Sequence, residues 1–205
     1  MLAPHTLFPE LVFKRIKHVF TLRQAVIHPA VENLPHLLRA CDFPGDSIVQ
    51  AEQTHGNHVA VIDANNRDST IPQVDALITN TSKLTLVIRT ADCGPLYFYD
   101  PHKNVIAVAH SGRKGTEQNI LAATIQNMQQ HFACEPQDII CMLGPCIRPP
   151  HYEVDIAAAM AEQAKSSNIQ FHDCGENTGS DLSRYYSYRI EKGQTQRHFA
   201  AIRLL

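Results

Sequence analysis

LTLVIRTADCGPLYFYDPHKNVIAVAH, running from Leu84 to His110, places three strand candidates in one stretch. Leu84–Thr90, Leu96–Tyr99 and Val105–Ala109 are rich in β-branched and aromatic residues, and Gly94-Pro95 and Pro101 punctuate them. Toward the N-terminus the pattern continues. Ser47–Ala51 and His58–Asp63 are short apolar runs on either side of Gln53-Thr54-His55-Gly56, Asp63–Asp68 is a polar turn or loop, and Ala76–Thr79 resumes the strands. Toward the C-terminus the period changes. Between Thr116 and Phe132, residues Leu121, Ile125, Met128 and Phe132 recur at helical spacing, with Gly115-Thr116 as a flexible entry and a capping hydroxyl. Ile139–Leu143 is a further strand candidate ended by Gly144-Pro145, and the alanine-rich Asp155–Lys165 is a helix. Tyr185–Arg189 and Phe199–Leu204 read as closing strands. Strands cluster before helices more than they alternate with them, so the expected class is α+β rather than a doubly wound sheet.

The 205 residues, 44% hydrophobic and 19% charged, suit one domain spanning residues 1–205 with a substantial core. A net charge of −2 offers no basic field for a nucleic acid or an anionic membrane surface, so neither is an expected partner. No apolar run approaches the roughly 20 residues of a membrane span. MLAPHTLFPELVFKRIKHVF, interrupted by prolines and charges, has neither an apolar signal core nor a small-residue cleavage site. Six cysteines without a CxxC pair fit a reducing cytoplasm, where most serve as small buried hydrophobes.

Position selects three of the twelve histidines and six cysteines. His55 lies in the QTHG turn, Cys93 follows a strand in ADCGP, and His110 ends VIAVAH. Strand ends far apart in sequence can converge. Two imidazoles and a thiolate suit zinc, and three protein ligands leave a position open for catalysis. Taken singly, each is equally a buried thiol or a solvated imidazole. After His110 comes Ser111-Gly112-Arg113-Lys114-Gly115-Thr116. A glycine-bearing turn with two cations before a helix makes an anion seat, or else a plain helix entry. Asp92, next to Cys93, either orients a histidine, acts as a base or caps its own turn. Asp75 and Arg89, charges inside apolar stretches, either pair in the core or line a site.

Read in order, six blocks resemble one family. They are QTHGNHV (Gln53–Val59), VDALITN (Val74–Asn80), TADCGPLYFYD (Thr90–Asp100), VAHSGRKGT (Val108–Thr116), LGPCIRPPHYEVD (Leu143–Asp155) and YYSYR (Tyr185–Arg189). The chain is similar to the bacterial laccase-domain family, also described as multicopper polyphenol oxidases or YfiH-like proteins and now regarded as purine nucleoside phosphorylases. The resemblance implies a mixed β-sheet sandwich flanked by helices, like the catalytic domain of deamidating toxins. It implies zinc held by His55, Cys93 and His110, and phosphorolysis of adenosine, inosine and methylthioadenosine with adenosine deamination beside it. Four places depart from the family pattern. Arg113-Lys114 replaces a tryptophan-arginine pair, a glycine-rich segment is missing after Arg23, a stretch before Cys174 is shortened, and Gln196-Arg197 replaces a glycine-arginine pair.

Under this reading Cys93, His110 and Asp92 serve catalysis. Arg89, Arg113, Lys114 and Thr116 hold phosphate or substrate. The partners are a purine nucleoside and phosphate. Three other readings compete. Cys93 with His110 could form a metal-free hydrolase or deamidase. A copper-dependent polyphenol oxidase lacks the dense His-x-His pairs of a multicopper cluster, so copper would be adventitious. A non-catalytic protein would keep zinc for structure alone.

Overall fold

The computed structural model describes residues 5–23 and 34–205. The segment after Arg23, where a glycine-rich stretch was expected to be missing, runs into residues 24–33 and lies outside the described residues. Two six-stranded mixed sheets face each other. The first runs β1 (His5–Thr6), β2 (Ile16–Thr21), β12 (His198–Leu204), β7 (Thr85–Thr90), β3 (Ile48–Ala51), β5 (Ser69–Ile71). The second runs β11 (Gln170–Asp173), β10 (Ile140–Leu143), β8 (Gly94–Asp100), β9 (Val105–Ser111), β6 (Ala76–Thr79), β4 (Val59–Val61).

Period-two alternation builds the layers. On the first sheet Phe20, Leu86, Ile88, Ala200 and Ile202 point inward to meet Leu77, Tyr97, Tyr99, Val108 and Met142 of the second. The intervening residues face outward. Val19, Val87, Phe199 and Ala201 take α1 (Leu34–Ala40) through Leu34 and Leu38. Ala76, Ile78, Phe98, Ala107 and Cys141 take α3 (Ile120–Phe132) and α4 (Ile156–Ser166). Strands buried on both faces carry few polar residues, which is why β8 and β9 read as unbroken apolar runs. Their connection is tightened by the Asp100 carboxylate, which accepts the N–H groups of His102 and Lys103 at 2.8 and 2.9 Å. The architecture is the α+β sandwich of two sheets with helices outside.

Two expectations need correction. The helix expected over Thr116–Phe132 is broken. A five-residue α2 (Arg113–Glu117) stops, and Asn119, left-handed at φ 58°, caps α3 by accepting the Ala122 N–H. Asparagine tolerates that conformation and supplies the acceptor, so it takes the capping place assigned to Thr116. Tyr185–Arg189 is not a strand either. Its N–H groups form no ladder: Tyr185 donates to the Asp181 carbonyl, and Tyr186, Ser187 and Arg189 donate to the side chains of His198, Glu191 and Asp92.

His198 is locked neutral. Its Nδ1 donates to the Thr21 carbonyl and its Nε2 accepts the Tyr186 N–H, both at 2.7 Å. Burial outweighs these bonds and lowers its pKa to about 4. His18, whose Nε2 accepts the Phe8 N–H at 2.7 Å, is likewise lowered by burial to about 4. An unfolded histidine titrates near 6.5, so the unfolded chain binds more protons between pH 6.5 and 4. The stabilisation is complete above pH 6.5 and lost as pH falls to 4, on the order of 3 kcal/mol per histidine. Urea midpoints of the metal-free protein should fall over that window, and His198→Asn should remove about half of the slope.

Candidate metal centre

Three strand ends converge at one edge of the sandwich. β3 runs out into the Gln53–Gly56 turn, β7 ends one turn before Cys93, and β9 carries His110 as its penultimate residue. The Gln53 amide holds the first two together by extending the sheet with a side chain. Its Nε2 donates to the Arg89 carbonyl and its Oε1 accepts the Arg89 N–H, both at 2.7 Å. One nitrogen from each histidine and the Cys93 sulfur all lie within 4.8 Å of one another. The two imidazoles meet edge to face, with ring centroids 4.8 Å apart. Burial is graded across the three, from exposed His55 through half-buried Cys93 to buried His110.

Asp75 organises this triad. Its fully buried carboxylate accepts five hydrogen bonds, from the N–H groups of Thr54, His55 and Gly56, the Thr54 hydroxyl, and His110 Nδ1 at 2.9 Å. The turn carrying His55 and the ring of His110 are therefore fixed by one side chain. With Nδ1 of His110 donating to the carboxylate, Nε2 is free to face a ligand, the arrangement that orients metal-binding histidines. Burial raises the Asp75 pKa, but the His110 and Gly56 hydrogen bonds outweigh it and hold it at about 2. Burial also opposes a charge on Cys93, yet hydrogen bonds and charge from His110 and His55 lower its thiol to about 6. His110, desolvated but bonded to Asp75 and Cys93, is raised to about 9. A thiolate at neutral pH is the form that ligates a metal.

Gly112 makes the room. A Cβ built there would lie 2.6 Å from the Cys93 sulfur, which cannot retreat without leaving the triad. Gly112→Ala should therefore cost most of the bound metal while the far-ultraviolet circular dichroism stays unchanged. Retention of stoichiometric metal would show that the sulfur is not held where the triad needs it. Soft sulfur, two imidazoles, a locked tautomer and a glycine cradle fit a zinc-like divalent ion.

The triad opens into a cleft of about 1570 Å³. Arg89 and Arg113 line it, as does Asp92. Lys114 is exposed but does not line the cleft. Thr116 is buried, its hydroxyl bonded to the Gly112 carbonyl at 2.8 Å and to Ser111 at 2.9 Å, so it closes the helix turn and faces no ligand. Of the residues read as an anion seat along Arg113–Thr116, only Arg113 lines the cleft. Among the described residues Asp92 pairs with no histidine. Its oxygens accept the Thr178 hydroxyl and the Arg189 N–H, both at 2.7 Å, tying the cysteine turn to the C-terminal segment, and Asp75 takes the orienting place. Sequence reasoning had no view of the wall formed by Tyr188, Arg189, Lys192 and Arg197. Of these, Tyr188 and Arg189 lay in a noted block and Arg197 in the Gln196-Arg197 departure, and Lys192 left no signal.

A family model described as multi-copper polyphenol oxidoreductase laccase matches residues 28–173. Curated relatives include a purine nucleoside phosphorylase of Mycobacterium tuberculosis, 31% identical over 66% of this chain and 52% of the relative. Another, from Deinococcus radiodurans, is 32% identical over 86% of this chain and 78% of its own. The chain spans about half the length of the mycobacterial relatives it matches. Among solved structures, YlmD from Geobacillus stearothermophilus superposes with a TM-score of 0.85 at 21% identity, covering 96% of this chain and 94% of that one. Bacillus licheniformis YfiH superposes at 0.83 and 20%, with 93% of each chain covered.

Proposed function

The chain belongs to the multi-copper polyphenol oxidoreductase laccase family, and from that premise we propose that it is a zinc-dependent purine nucleoside phosphorylase acting on adenosine, inosine and methylthioadenosine. The observation that carries the reading is an open three-ligand triad at the wall of a large cleft that also presents arginines. Deamination of adenosine would use the same site. We place the enzyme in the cytoplasm and read residues 1–205 as one domain; no described helix is long and apolar enough to cross a membrane.

Phosphorolysis joins a phosphate oxygen to C1′ as the C1′–N9 bond breaks, and the base leaves with the bonding pair and takes up a proton. A zinc ion held by His55, Cys93 and His110 would supply Lewis-acid polarisation. The chain's own residues do the rest. Asp75 keeps His110 in one tautomer and the His55 turn in one position. Arg113, next to the glycine that touches Cys93, orients the attacking phosphate. Its ion pair with Glu117 is half exposed on both sides and yields at little cost. Arg89 faces the substrate from the neighbouring strand, its backbone fixed by Gln53. Ile147, Tyr152 and Ile156 give the apolar surface on which a purine rests.

Arg113→Ala should raise the phosphate concentration needed for half-maximal base release by about tenfold to a hundredfold. Lys114→Ala should leave it within about twofold, as expected of a surface charge outside the cleft. Equal effects in both variants, or none in either, would move the phosphate seat elsewhere.

A second reading has its own observation. The Cys93 thiol, lowered to about 6 beside His110, is also what a nucleophile needs. Cys93 cannot be a metal ligand and a free nucleophile together, so metal content separates the two.

A further inference from the structure

The cleft is larger than a nucleoside and a phosphate require. Ligand pockets commonly measure roughly 300–1,000 Å³, against about 1570 Å³ here. From the triad the cleft extends onto the outer face of the first sheet. Arg89 and Phe199 are register partners on adjacent strands β7 and β12. Strand alternation puts them on the same face as Val87 and Ala201, the face covered by α1. Leu37 and Ala40 of α1, Phe199, Tyr188, Lys192 and Arg197 complete this second lobe.

The cations lining the cleft differ in their partners. Beside the triad, Arg113 pairs with Glu117 and Arg189 with Glu153, each at 2.9 Å. In the second lobe Arg89, Lys192 and Arg197 have no carboxylate within ion-pair distance among the described residues. Among the described residues Arg197 donates to the carbonyls of Thr195 and Gln196, and its guanidinium lies 5.4 Å from the centre of the Tyr188 ring. The two acids lining the cleft are engaged elsewhere. Glu52 accepts the Gln73 N–H at 3.1 Å, and Asp92 accepts from Thr178 and Arg189. Three cations without a counter-charge among the described residues, beside an exposed tyrosine and an apolar floor, form a seat suited to an anion.

We infer that this second lobe binds a phosphate group carried on the 5′ carbon of the nucleoside, so that the enzyme takes purine nucleoside 5′-phosphates in preference to the unsubstituted nucleoside. This rests on the phosphorylase reading. The reaction stays balanced, with inorganic phosphate joining C1′, the base leaving with its electron pair and a proton, and ribose 1,5-bisphosphate formed. Arg113 holds the attacking phosphate, and Arg197 with Lys192 holds the 5′-phosphate.

The test compares adenosine with adenosine 5′-monophosphate on the zinc-loaded protein, by calorimetric binding and by adenine release. The monophosphate should bind at least about tenfold more tightly and be cleaved with a correspondingly lower KM. Arg197→Ala and Lys192→Ala should each erase most of that advantage while leaving the KM for adenosine within about twofold. Equal affinity for the two ligands overturns the inference, as does an equal loss for both in the variants. A raised inorganic-phosphate requirement for adenosine cleavage in Arg197→Ala also overturns it, by giving the lobe to the attacking phosphate. Tight, Arg197-dependent binding of the monophosphate without cleavage of any nucleoside would keep the lobe and sink the phosphorylase reading instead. Adenosine cleavage without preference for the monophosphate would do the reverse.

Discussion

Cys93→Ser protein, purified beside the unaltered chain without added metal, should contain less than about a tenth of its zinc, whereas the unaltered chain carries about one atom. Serine fits the space but presents a hydroxyl that does not ionise near neutral pH, so the soft anionic ligand is gone. Two imidazoles remain, one of them on an exposed turn. The remaining pair cannot enclose the ion. The fold should survive, because Cys93 lies at the rim of the sandwich and belongs to none of the three apolar clusters. If Cys93 acts as a free nucleophile, the same change abolishes activity and leaves metal content as it was. Full zinc occupancy in the variant would rule out the ligand set.

Asp75→Asn should be the more damaging change to the protein as a whole. The carboxylate oxygens divide five donors, with Thr54 N, Thr54 Oγ1 and Gly56 N on one and His55 N and His110 Nδ1 on the other. An amide keeps a single acceptor oxygen. Whichever way it is placed, at least two donors then face an NH2 group in a fully buried position. A loss of about 3–5 kcal/mol in urea unfolding at pH 7 is expected, typical of a buried charge network broken on one side. Zinc affinity should fall by about tenfold to a hundredfold even where the protein is folded, since His110 loses its orienting partner. An unchanged unfolding midpoint would show that the QTHG turn is held by something else.

The layer architecture was legible because strand and helix periods leave direct marks. Leu84–Thr90 and Val105–Ala109 are runs of residues that suit a strand buried on both faces, and Leu121, Ile125 and Met128 mark the buried stripe of α3. What the periods cannot carry was misread. Tyr185–Arg189 has strand-like residues, but its N–H groups are taken by the Asp181 carbonyl and the side chains of His198, Glu191 and Asp92. The break at Asn119 depends on one residue adopting φ 58° inside an otherwise helical pattern.

The three triad residues stood out from their place at strand ends, though only family resemblance ranked them above ordinary buried thiols and solvated imidazoles. Asp75 left a signal, a carboxylate in the apolar run VDALIT, but its five partners come from other segments and no spacing rule reaches them. Arg113 and Lys114 are neighbours with the same charge, and helix geometry alone sends one to the cleft and the other away. The Tyr188–Arg197 wall is turn and loop without periodicity, so nothing in the sequence placed it against the triad.

Adenine release from adenosine, followed with and without inorganic phosphate on a sample whose zinc has been counted, tests the central claim most directly. Release that rises to saturation with phosphate, matched by ribose 1-phosphate and abolished with the zinc in Cys93→Ser, is the expected result. A protein carrying one zinc per chain that releases no base from adenosine or inosine at any phosphate concentration would contradict it.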